Sequence, residues 1–224
     1  MKNILEVDSV IKSFGEYQIL TDVYIKCETG DIIGILGRNA CGKSSLLKII
    51  FGTLNSDNKN IRINKKVYPQ AYKNGDLIAY LPQHDFLPKK IKLEKIIKIY
   101  IKDPESRNKI LNDKRISNHL KKTVNELSGG EKRYFEILLL VNLNVKFVML
   151  DEPFSGIEPL YIKRIKEIIC EGSKTKGFII TDHDYRNIIE VSTEILLITN
   201  GVCKHIKNLN ELEDWNYVPQ GTYD

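Results

Sequence analysis

The sequence predicts an α/β fold, and three observations in its 224 residues carry that prediction. Short apolar runs at residues 31–36, 77–81, 147–150 and 177–181 read as buried strands, each closed by Gly, Pro or Asp. Ahead of them, Val23, Ile25 and Cys27 alternate with Tyr24 and Lys26, as in a strand with one face exposed. Between residues 84 and 125 the composition changes to amphipathic, lysine-rich helical stretches, which read as an all-helical insertion.

The elements follow in order. Residues 4–14 and 18–27 form two strand-like segments joined near Gly15, expected to pair antiparallel. Phe14 ends the first, where an aromatic can be core or can stack on a nucleotide base. The strand at 31–36 runs through Gly37-Arg38-Asn39-Ala40-Cys41-Gly42-Lys43-Ser44 into residues 45–51, whose apolar positions have helical spacing. A polar stretch at 55–60 precedes short strand-like pieces at 61–63 and 66–68. Pro82 stops the strand at 77–81 and leaves Gln83 at its carboxyl end.

Leu93, Ile96, Ile97 and Tyr100 mark one helix of the insertion, with further helical stretches expected at 105–111 and 116–122. Leu127-Ser128-Gly129-Gly130-Glu131 breaks the pattern before a long helix from Lys132 to about Leu143. The strand at 147–150, a helix at 160–170 and the strand at 177–181 come next. Another helix, strands at 194–199 and 202–206 around an Asn200-Gly201 turn, and a tail with a short helix complete the chain.

Composition narrows the function. Net charge is +5, but the lysines are scattered among acids, so they read as a solvated surface and no nucleic-acid partner is expected. Cys27, Cys41, Cys170 and Cys203 are far apart, without the spacing of a zinc site, and suit a reducing compartment. No run approaches the ~20 apolar residues of a membrane span. The N-terminal residues lack the apolar region of a signal peptide, so a cytosolic chain is expected unless a partner holds it at a membrane.

The Gly37–Ser44 stretch fits the phosphate-loop pattern in its required setting of strand, Gly-rich turn and helix. A helix N-terminus offers unbonded N–H groups and a partial positive charge to phosphate. Lys43 can reach the β- and γ-phosphates, and the Ser44 hydroxyl can ligate Mg²⁺. Two further sites, Asp151-Glu152 and His183, end apolar strands, where α/β sheets place their ligands. Asp151 is placed to hold Mg²⁺, Glu152 can serve as general base, and His183 can contact a γ-phosphate. On strand alternation, the Glu152 side chain is expected on the face opposite Asp151. At Ser128-Gly129-Gly130, paired glycines after a capping serine predict a second anion-binding helix terminus. One nucleotide does not need two such cradles, whereas two subunits meeting head to tail could each close the other's site.

With these motifs in this order, the sequence resembles the ATP-binding subunit of an ATP-binding cassette (ABC) transporter, over essentially the whole chain. The resemblance implies a P-loop NTPase core of mostly parallel sheet (1–83 and 147–207) with an N-terminal antiparallel β-subdomain. It also implies an inserted α-helical subdomain (84–146) and a tail (208–224), all within one domain. It assigns Phe14 to adenine, and Gly37, Arg38, Asn39, Ala40, Cys41, Gly42, Lys43, Ser44 and Ser45 to the phosphates. Ser44, Gln83 and Asp151 fall to the metal, and Glu152, His183 and Lys43 to catalysis. Ser128, Gly129, Gly130 and Glu131 become the family signature, and Ser155-Gly156-Ile157-Glu158 the loop coupling the two sites. Two departures stand out: Ala40 replaces a common Gly, and Glu158 replaces the usual Asp. Asp182 before His183 resembles a branch of separate-subunit cassettes that includes lipopolysaccharide-export ATPases.

The implied function is ATP hydrolysis by a dimer around two ATP, driving translocation by separate transmembrane permease subunits from the inner face of the membrane. A non-transport ABC ATPase of DNA repair or translation is the alternative, but its usual coiled-coil insertions and zinc cysteines do not occur. Against a regulatory module that binds ATP without turnover stand Lys43, Asp151, Glu152 and His183, which are all intact. A generic P-loop kinase leaves Ser128-Gly129-Gly130 without a role.

Overall fold

A computed structural model of the chain describes residues 2–223 and bears out the α/β expectation. β1 (Ile4–Phe14) pairs antiparallel with β2 (Tyr17–Glu28), and β3 (Ile32–Gly37) leads into α1 (Lys43–Phe51). β4 (Asn58–Ile63) and β5 (Lys66–Val67) return to β1, giving an antiparallel sheet of order β2-β1-β4-β5. After β6 (Ile78–Leu81) come α2 (Leu93–Tyr100), α3 (Pro104–Leu111) and α4 (Gly129–Val141). β7 (Phe147–Asp151), α5 (Pro159–Ser173), β8 (Gly177–Thr181), α6 (Tyr185–Val191), β9 (Glu194–Thr199), β10 (Val202–Ile206) and α7 (Glu211–Asp214) follow.

The second sheet has the order β10-β9-β3-β8-β7-β6 and is parallel except for the β9–β10 hairpin. Its parallel strands are apolar at successive positions because both faces are covered, whereas β10 at the edge is not. Ile32 and Leu36 of β3 join Val148 and Leu150 in one core, while Ile33 and Ile35 join Phe147 and Met149 in the other. The parallel alignment brings the carboxyl ends of β3, β6, β7 and β8 to one edge. Everything the sequence marked as chemical, apart from Phe14 and the signature, follows one of those ends.

Four local expectations are corrected. Residues 116–122 form no α-helix, only a 3₁₀ turn at Ser117–His119. Their carbonyls are used elsewhere: Lys122 O and Leu120 O accept from the Leu93 and Glu94 amides, which α2 leaves unpaired at its start. The helix expected from Lys132 begins at Gly129, because Ser128 and Glu131 form a capping box that extends it. β4 reaches back to Asn58 in the polar stretch, where Asn60 and Asn58 pair with Asp8 and Ile11. Finally, β7 stops at Asp151, and Glu152 has the left-handed φ of 53°, so strand alternation does not set its direction.

One glycine fixes how α6, which follows His183, sits on the sheet. A Cβ on Gly34 of β3 would lie 2.3 Å from Ser192 Oγ and 2.4 Å from Ile188 Cγ2. Gly34→Ala should therefore lower stability by about 1–3 kcal/mol through overpacking. Urea denaturation with an unchanged m-value measures it, and an unshifted midpoint would contradict the close packing.

Candidate nucleotide site

The loop after β3 is shaped by three residues of positive φ: Gly37 (155°), Ala40 (62°) and Gly42 (106°). Gly37 also lacks room, since a Cβ there would come 2.5 Å from Cys41 Sγ and 2.8 Å from Ile198 O. Gly42 caps α1 without a side-chain acceptor, so the amides of the first turn remain available to an anion. Lys43 is buried and folds back into the loop, its Nζ donating to Gly37 O at 2.7 Å and Arg38 O at 3.2 Å. The charge of the motif is thus held at the centre of the loop.

Asp151 has no exposed surface, and hydroxyls surround it. Ser44 Oγ donates to Oδ1 at 3.1 Å, Thr181 Oγ1 to the same oxygen at 2.7 Å, and Tyr80 Oη to Oδ2 at 3.1 Å. Burial, then the Asp151 charge, pushes the Tyr80 phenol far up, so it stays a donor. Thr181 and Tyr80 were not foreseen. Thr181 is opposite Asp151 only through the β7–β8 register, and Tyr80 adjoins it only because β6 pairs with β7.

Glu152 is mostly enclosed, with 12% of its side chain exposed. Its Oε1 accepts from Gln83 Nε2 at 2.5 Å and lies 2.6 Å from His183 Nε2. Gln83, which the resemblance assigns to the metal, is bonded to the carboxylate of Glu152. Next to His183, Asp182, which the sequence marked only as a branch feature, is a buried anchor. Its oxygens accept from the amides of Phe154 (2.9 Å), His183 (2.8 Å) and Asp184 (3.1 Å). Burial pushes its carboxyl up, and those amides oppose the shift.

Phe14, Gln83, Glu152, His183 and the loop from Asn39 to Ser45 line one cavity of about 380 Å³. Phe14 is half exposed, with Lys12 Nζ 4.7 Å above its ring, so one face already carries a cation. Ser128, Gly129, Gly130 and Glu131 do not line that cavity. Ser128 Oγ accepts from the Glu131 amide at 3.2 Å, and Glu131 Oε2 accepts from the Ser128 amide at 2.7 Å. A Cβ on Gly129 would meet nothing within 4 Å, and one on Gly130 only Tyr161 Cδ2 at 3.9 Å. Neither glycine is required by packing within this chain. Gly129 does border a smaller cleft with Gln83, Glu152, Ser155 and Gly156, so the signature and the carboxylate are neighbours.

Residues 20–155, more than half of the chain, match the family model of the ABC transporter. The chain belongs to that family. This ABC cassette is 28% identical over 213 residues to the lipopolysaccharide export system ATP-binding protein LptB of Haemophilus influenzae, covering 89% of this chain and 88% of LptB. It is 29% identical over 211 residues to LptB of Escherichia coli, covering 88% and 87%. An uncharacterized ABC transporter ATP-binding protein of Methanocaldococcus jannaschii is 27% identical over 221 residues, covering 95% and 80%. Among solved structures, an ATP-binding subunit of an ABC transporter superimposes with a TM-score of 0.82 at 23% identity, covering 96% of this chain and 93% of that one. An ABC transporter cassette in its ADP conformation gives 0.78 at 24% identity, covering 97% and 96%. The chain is an ATP-binding subunit of an ABC transporter, and the fold shared with those cassettes is that of a P-loop NTPase.

Two departures from the family pattern have structural positions. Glu158 is exposed at the N-cap of α5, where its side chain accepts no capping hydrogen bond. Ala40 holds a left-handed φ, which costs an L-residue roughly 1–2 kcal/mol. Ala40→Gly relieves that strain but frees the unfolded chain by about 0.4–1 kcal/mol, so the net gain should be about 0.5–1 kcal/mol. A thermal midpoint that falls in the glycine variant would show the loop is not strained.

Proposed function

We propose that this subunit hydrolyses ATP with Glu152 as general base, in a head-to-tail dimer whose signatures complete one another's sites. The observation that carries the proposal is the placement of Glu152 at the lip of the phosphate-loop cavity, with Gln83 and His183 on one of its oxygens.

The donor set fits magnesium. Ser44 Oγ and Asp151 Oδ1 are hard oxygens 3.1 Å apart, and Mg²⁺ takes few protein ligands besides water and phosphate oxygens. When bound, the ion offsets charge on the phosphates. The remaining work falls to the chain. Lys43 exchanges the carbonyls of Gly37 and Arg38 for β- and γ-phosphate oxygens, a charge-assisted contact stronger than the one it leaves. α1 turns its free amides to the phosphates, and Phe14 stacks on the base with the face away from Lys12. Glu152 accepts a proton from the attacking water, Gln83 orients the carboxylate, and His183 contacts the γ-phosphate. Gly129 and Gly130, open to solvent, let the α4 amides approach a nucleotide held by a second copy. Release of phosphate removes the ligand shared by two subunits, and the dimer reopens against separate membrane permease subunits. Among the described residues no helix is long and apolar enough to cross a membrane, so the translocation path falls to those subunits.

The similarity to LptB supports permease subunits of the lipopolysaccharide-export type as the membrane partner. Glu152→Gln should reduce turnover by about 10²–10⁴-fold and prolong an ATP-bound dimer. Phosphate release and size-exclusion chromatography with ATP measure both, and normal turnover or a persistent monomer contradicts the mechanism. In mixtures, a Ser128→Arg subunit paired with a Lys43→Ala subunit should retain one working site, the phosphate loop of the first closed by the signature of the second. A mixture no more active than either variant alone would place the signature on its own chain's nucleotide, since each chain would then carry a dead site.

A further inference from the structure

Arg133 is given no role by the nucleotide site as described. It stands one turn into α4, yet the residue is only 9% exposed and its guanidinium is turned back toward the sheet. Its donors go to main-chain carbonyls: Nη1 to Pro82 O at 2.7 Å, Nη2 to Asp151 O at 2.5 Å and to Glu152 O at 3.1 Å. Nη1 also lies 3.4 Å from Glu136 Oε2. Glu136 is 1% exposed, and its Oε1 has no hydrogen-bond partner among the described residues. Burial pushes the Glu136 carboxyl up, while Arg133 opposes the shift.

A buried ion pair is a poor way to gain stability, because desolvation offsets most of the attraction. What this pair achieves is geometric. The accepting carbonyls belong to Pro82, which precedes Gln83, and to Asp151 and Glu152 themselves. Glu152 occupies the left-handed region, which persists only where the surroundings hold it. A planar guanidinium can hold carbonyls from separate segments at once, and a lysine ammonium cannot reproduce that fork. The same helix begins at Ser128, and the capping box ties its first turn together. A displacement of that turn is therefore carried to Arg133 through one turn of closed helix.

We propose that Arg133 is a positioning residue that links the signature end of α4 to the hydrolytic carboxylate of the same chain. Docking of Ser128, Gly129 and Gly130 on a phosphate presented by a second copy is then transmitted to Glu152 and Gln83. This rests on the reading of Glu152 as base in a head-to-tail dimer.

The test uses the full chain with Arg133→Lys, Arg133→Ala and, in parallel, Glu152→Gln. For the arginine variants kcat should fall by about 10–10²-fold, the cost of a small misplacement of a catalytic group, and cooperativity in ATP should flatten. KM and equilibrium ATP binding should stay at the wild-type level, because Lys43 and the phosphate loop are untouched. Guanidinium ion at non-denaturing concentration should restore part of the kcat of Arg133→Ala and none of that of Arg133→Lys. Unchanged kcat in Arg133→Lys overturns the proposal, as does a loss of kcat matched by an equal loss of ATP binding. If Arg133→Ala does not fold, the lysine variant alone decides, since it keeps a cation opposite Glu136. Normal turnover in Glu152→Gln would overturn the base reading instead, and would be visible independently of either arginine variant.

Discussion

A carboxylate with no exposed surface must be surrounded by donors, and Asp151 meets that demand with hydroxyls from three separate elements. Ser44 comes from α1, Thr181 from β8 and Tyr80 from β6, so the charge is satisfied only when all three are in register. A slip of one residue between β7 and β8 would replace Thr181 and take one of three donors from the buried carboxylate, a hydrogen bond to a charged group worth about 1.5–3 kcal/mol. The strand order of the parallel sheet and the seating of the phosphate loop thus depend on one interaction. Glu152 lies one peptide beyond that anchor and Gln83 two residues beyond β6, so the lip of the cavity inherits its geometry from the same point.

How much of this the sequence revealed depends on the range of the physics involved. Residues 177–181, 194–199 and 202–206 were bounded correctly because β-branched runs and turn residues are local signals. Gly37–Ser44 was equally plain, since the loop, the strand before it and the helix after it adjoin in the chain. Residues 116–122 misled because their helical pattern competed with a distant need, the open amides at the start of α2. Glu152 misled because a positive φ is imposed by neighbours and not by the residue itself. Thr181, Tyr80 and Arg133 were invisible for the same reason. Each is an ordinary residue until strand order places it beside Asp151 or Glu152.

The serine and glutamate of the signature are spent on each other, which matters for how the helix terminus meets a ligand. With the Glu131 carboxylate held by the Ser128 amide, the first turn is rigid before any partner arrives. Preorganisation of this kind lowers the entropy cost of association. Burial of Lys43 inside its own loop acts similarly on the opposite surface, since the cation is already in place.

Gly129 has a consequence for inheritance and for cells as much as for chemistry. A methyl group added there would meet no other part of the described chain within 4 Å, so the folded subunit accommodates an alanine at the position. Chaperones and proteases act on exposed and unfolded chain. An altered copy would pass that inspection, accumulate normally and compete with intact copies for the same assembly.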